Sequence, residues 1–145
     1  MSTVIPTDLE AWACDYIRDA LEDVKDLQVT NSEPPDYQGA YPLIVLAETI
    51  NGQSERIVFD TTLSVTVKGW SRSMSKPCKD LARRLYGLLT ADPDVLEGHT
   101  EDSRILAIDG DNCNGPYPIT DNSDIAVYYE TFSYAVDGET NQQQP

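Results

Sequence analysis

The sequence is short of the residues that usually carry chemistry. It has one histidine, His99, and three cysteines, Cys14, Cys78 and Cys113, none in a CxxC pair. Zinc patterns need Cys or His at short, repeated separations, so the usual ones are excluded, and three scattered thiols make no disulfide framework. There is no GxSxG, P-loop or GxGxxG motif, so neither a nucleophile elbow nor a phosphate-cradling turn is present. No apolar run approaches the ~20 residues of a membrane-spanning helix. The opening MSTVIPTDLEAW lacks a basic n-region and an apolar h-region, so no signal peptide is expected. Bases are scarce: ten against 25 acids, a net charge of −15. That balance argues against nucleic acid or an anionic membrane as the main partner. Free, unpaired thiols suit a reducing cytoplasm.

What remains is one domain's worth of chain, 145 residues of which 40% are hydrophobic. The few bases are gathered. Lys68, Arg72, Lys76, Lys79, Arg83 and Arg84 share a short segment with a single acid, Asp80. Six bases against one acid give that segment +5, which leaves −20 for the rest of a chain of net −15. Such asymmetry marks either a surface that meets acidic protein or a solvated helix face.

Periodicity supplies the elements. Thr7 and Glu10 have capping-box spacing, and Leu9, Trp12, Ala13, Tyr16, Ile17, Ala20, Leu21 and Val24 recur at three and four, predicting a first helix. DLQVTN reads as a short strand and YPLIVLAETI as a second, buried one. Asn51-Gly52 is a hairpin dipeptide, and RIVFDTTLSVTVKGW alternates as a long third strand. Its length predicts that the end from Ile50 to Phe59, with Asn51, Gly52 and Arg56, projects as an arm. A second helix comes after SRSMSKP, with Cys78, Leu81, Ala82, Leu85, Leu88 and Leu89 inward and the bases away. RILAID and DIAVYYETFSYAV are the last two strands. The order α-β-β-β-α-β-β predicts an α+β domain over 1–137, an antiparallel or mixed sheet with two helices on one face. Residues 138–145, polar throughout, are expected to be a disordered tail.

The stretch DGDNCNGPYPITD, Asp109 to Asp121, resembles a calcium loop in composition. Spacing refutes an EF-hand: with Asp109 first, the fifth ligand position is Cys113, the glycine position is Asn114 and the bidentate position is Thr120. Asn114-Gly115, Pro116 and Pro118 instead read as a turn joining two strands, and no metal or other cofactor is expected. Catalysis needs converging groups. Asp109 and Asp111 near a turn carry little information in so acidic a chain, Cys113 has no cationic neighbour in sequence, and His99 sits in an acidic loop. No enzyme is expected.

YPLIVLAE, the long hairpin into LSVTVKGW, the helix SRSMSKPCKDLARRLYGLL and the closing NGPYPITDNSDIAVYYETFSYAV, taken in that order, resemble the tail terminator proteins of long-tailed bacteriophages, also called tail completion or minor tail proteins. The resemblance runs from about Asp8 to Val136 and rests on architecture and short patterns, such as the aspartate-containing turn from Asp121 to Asp124. Family members often carry a base in the middle of the last strand, where this chain has VYYETF. The resemblance implies a homo-hexameric ring on the finished tail tube, contacting the major tail tube protein and a head-neck completion protein. DNA would pass through its hole without specific binding. The implied location is the tail-neck junction of the virion, reached from the host cytoplasm, with no membrane contact. Arg72, Lys76, Lys79, Arg83 and Arg84 would then serve a subunit or neck interface, Ile50, Asn51, Gly52 and Arg56 the arm, and Asp109, Asp111, Asp121 and Asp124 an acidic rim or lumen. An acidic neck, baseplate or adaptor module without a ring is one alternative, and a domain stabilised by calcium through non-EF-hand oxygens of the Asp109–Asp121 loop is another.

Overall fold

Two long alternating segments dictate the architecture, because each must bury one face and can expose the other. The computed structural model describes residues 2–91, 104–120 and 123–142. The chain runs β1 (Ser2–Ile5), α1 (Leu9–Ala20), β2 (Gln28–Thr30), β3 (Leu43–Glu55), β4 (Val58–Ser71), α2 (Lys76–Leu89), β5 (Ile105–Ile108), β6 (Asn114–Pro118), β7 (Ile125–Asp137) and β8 (Glu139–Gln142). Leu63, Val65 and Val67 of β4 and Ala126, Tyr128, Phe132, Tyr134 and Val136 of β7 face one core. Leu9, Trp12, Ala13, Tyr16, Ile17 and Leu21 of the α1 region close that core, with Cys78, Leu81, Ala82, Leu85 and Leu89 of α2. Both helices therefore cover the same face of a mixed sheet ordered β2-β3-β4-β7-β5, with β6 also paired to β7. Only β2 and β3 run parallel among these pairs. This is the α+β class expected.

The differences are local and have physical causes. The capping box does not form. Asp8 caps α1, its carboxylate accepting from the Ala11 N–H at 3.0 Å, while the buried Thr7 hydroxyl donates to the Asp137 carbonyl at 2.7 Å. Glu10 bonds sideways instead: its carboxylate accepts from the Glu48 N–H, and the Glu10 N–H donates to the Glu48 carboxylate, each at 3.2 Å. That exchange occupies part of the β3 edge that β2 leaves open.

The hairpin turn is not at Asn51-Gly52. β3 continues to Glu55, passing Gly52 at a register shift, and the reversal comes at Arg56 and Ile57. β7 pairs with β4 as far as Val58↔Asp137, so the β4 strand is held to its start and β3 extends to match it. The arm is consequently not free-standing: Phe59 and Thr61 are buried, and only the β3 strand beyond Thr49 and the turn are broadly exposed.

The polar segment from Gly138 was expected to be disordered, but Glu139–Gln142 form β8, antiparallel to β1 with Ile5↔Glu139 and Ser2↔Gln142. Neither strand has an apolar pattern, so the pairing rests on backbone hydrogen bonds and on the pivot at Gly138. A Cβ there would lie 2.6 Å from the Phe59 ring and 2.8 Å from Val4 Cγ1, so only glycine brings the strands this close.

Candidate assembly surfaces

The acidic loop is structured by the sheet. Asp109 N–H donates to the Ser133 carbonyl at 2.8 Å, and the Asn112 amide donates to the Asp109 carboxylate at 2.6 Å. Gly110–Asn112 make one 3-10 turn that carries Asp111 into solvent. The next segment is a strand, β6, rather than the continuous loop expected, with Tyr117↔Tyr129 and Pro118↔Tyr128 in register. The turn borders a cleft of ≈ 560 Å³ on the uncovered sheet face, lined by Asp60, Thr62, Ile108, Asp109, Asn112 and Ser133 among others. Asp124 lies at the other end of β7, where its carbonyl accepts from the Arg72 N–H at 2.6 Å. The expected rim residues are thus separated, and Asp121 lies outside the described residues, as does His99.

Beneath that face β7 carries the least expected group. Glu130 points into the core, is 0% exposed, and neither carboxylate oxygen has a hydrogen-bond partner among the described residues. Burial pushes its carboxyl up to about 8, because the charged form has lost its water without gaining a partner. β6 seals the site from one side. Gly115, at φ +107, passes so close that a Cβ would stand 2.8 Å from Glu130 Cβ and 2.7 Å from the Tyr129 carbonyl.

The basic segment stays exposed along α2, but much of its charge is matched within the chain. Asp80 takes Lys76 at 3.0 Å and Arg83 at 3.3 Å, and Arg84 forks onto both oxygens of Asp23 at 2.8 Å. These hydrogen bonds hold the Asp80 and Asp23 carboxyls below their ordinary range. Lys68 pairs with Glu33 and lies over the Tyr37 ring. Arg72 reaches the Ser123 carbonyl at 2.5 Å. Lys79 is exposed and, among the described residues, forms no ion pair.

Sequence reasoning placed Ile50 in the arm but passed over the other exposed apolar side chains, Trp70, Met74, Ile57 and Leu106. At the C-terminal end of β4 Trp70 has φ +60 and is 36% exposed, at a register shift between Gly69 and Ser71 against β7. Met74, on the 3-10 turn Arg72–Met74, is 66% exposed. At the hairpin end Ile50 and Ile57 are exposed, as is Leu106 on β5. Periodicity could not reveal Trp70, since it sits where the bulge breaks the alternation. Met74 had a readable signal: an apolar residue alone in the polar linker SRSMS.

Among the described residues no three His, Cys, Asp or Glu side chains gather as a metal centre would. The three thiols are buried, which raises each of them, Cys78 to about 12. No protein-family description matches the chain, and no curated protein matches it. Its fold is similar to that of a chain in the virion of a native gene transfer agent particle, at a TM-score of 0.52 and 14% identity, over 90% of this chain and 95% of that one.

Proposed function

We propose that this protein is a structural virion subunit that closes into a ring on the end of a tail tube, stops its growth and offers a surface to the neck. The observation that carries the reading is the fold shared with a virion chain over nearly the whole of both. A match of that extent relates one fold to another rather than one common motif. The charge distribution supports the rest. A conduit for DNA works best if its wall does not hold phosphates, and a net −15 per subunit repels them. A ring of like subunits needs two unlike faces on each, and the basic α2 segment against the acidic remainder supplies them. The major tube protein and a head-neck protein are the partners in this reading, DNA passes unbound, and the subunit catalyses nothing. Electron microscopy of purified tails incubated with the protein tests it. Six-fold density at one tube end, with tubes held at fixed length when the protein is present during their assembly, is the expected result. Tubes that ignore the protein, with the chain remaining a monomer, would leave an adaptor module in its place.

A further inference from the structure

Trp70 is held in a left-handed backbone conformation that crowds the Cβ of an L-residue and that bulky side chains rarely adopt. An outlier of this kind calls for a function that retains it. Here the bulge against β7 turns an indole partly out of the sheet, the re-aiming that bulges commonly perform. Arg72 N–H and guanidinium, bonded to the Asp124 and Ser123 carbonyls, fix the backbone just after it. Met74 lies nearby in sequence, and Arg72, Lys76 and Lys79 are exposed along the same segment. An aromatic and a methionine within a rim of cations have the composition of an interface anchor. Its partner surface should be apolar at the centre and acidic around it.

The chain carries such a surface at the opposite end of the same strand. Ile57, in the turn, is 46% exposed and Ile50 is 38% exposed. Glu55 and Asp60 are exposed beside them, with Arg56 the one base at this end of the hairpin. The two patches lie at the two ends of the 14 residues of β4, about 45 Å apart at ~3.3 Å per residue. They cannot meet within one copy. We infer that Trp70 and Met74 of one subunit seat against the Ile50–Ile57 hairpin end of the next, joining copies head to tail through two opposite ends of β4. Such a contact is heterologous, the kind that builds a ring when the rotation between neighbours closes. The inference rests on the ring reading above and specifies the joint within it.

Met74→Glu and Ile57→Glu test it, since neither side chain belongs to the core cluster. Each variant should fold, by circular dichroism and melting, and sediment as a monomer under conditions in which the wild type forms rings, alone or on tail tubes. Mixed in equal amounts, the two should form one-to-one pairs and nothing larger, because each pair retains one intact hairpin end and one intact Trp70 end. Trp70→Gly, which suits the positive φ, should still unfold cooperatively and weaken assembly at least tenfold. If both Glu variants still make rings, or their mixture makes no pairs, the joint is elsewhere and the ring reading survives. If Met74→Glu rings form but no longer bind necks, the Trp70 end belongs to another protein and the inference fails. A wild type that never assembles, alone or on tubes, overturns both.

Discussion

Glu130 offers the sharpest energetic test of the fold. Its carboxyl is fully buried and has no hydrogen-bond partner among the described residues, and burial moves it from the ordinary 4.5 to about 8. A group that binds its proton more tightly when folded makes unfolding release that proton, so stability falls as pH rises. The contribution is fully present below about pH 4.5 and is lost progressively until pH passes about 8. At ~1.4 kcal/mol per unit, the whole window is worth about 5 kcal/mol, of which about 3 kcal/mol has gone by pH 7. Glu130→Gln keeps the shape and removes the titration. Urea unfolding of both proteins at pH 5, 6, 7 and 8 isolates the effect, because other titrating groups cancel in the difference. The unpaired amide of Gln adds a constant offset, so the slope is the readout. The variant should gain on the wild type by several kcal/mol between pH 5 and pH 8. Parallel profiles would refute the reasoning: they would mean that Glu130 finds water or a cation and is not isolated.

Three further outcomes are expected from the packing. Gly115→Ala should destabilise the fold by about 2 kcal/mol or more, measured by urea unfolding, because the new methyl meets the Tyr129 carbonyl and Glu130 at under 3 Å in a positive-φ conformation. Arg83→Glu with Arg84→Glu should leave melting nearly unchanged, since their ion pairs with Asp80 and Asp23 are exposed, while high salt narrows even that small difference. Native protein should show no thiol that reacts with a disulfide reagent near neutral pH, and all three should react after denaturation, because Cys14, Cys78 and Cys113 are buried and raised.

The long elements were legible because their patterns are strong. The α2 stripe from Cys78 to Leu89 and the alternation in β4 predict the observed buried faces almost residue for residue. β1 and β8 were not legible, since their pairing uses backbone groups that any sequence possesses. The hairpin turn was misplaced because a favourable local dipeptide, Asn51-Gly52, lost to the longer pairing of β4 with β7, a tertiary effect. β6 escapes the sequence pattern for a related reason: prolines and glycine discourage a strand, yet the β7 edge accepts one with a register shift between Asn114 and Tyr117. At the surface, the sequence showed where the bases lie but not that Asp23 and Asp80 already face three of them. A glutamate in an alternating strand suggests an outward position, and the inward phase of Glu130 appears only once Phe132 and Tyr134 fix the register.

The measurement that bears most directly on the central claim is the native mass of the protein bound to the end of purified tail tubes, read together with images of those ends. Six copies in a closed ring at one end of each tube, with an open central hole, is the expected result. Single copies bound along the tube, or no binding at either end, would contradict it.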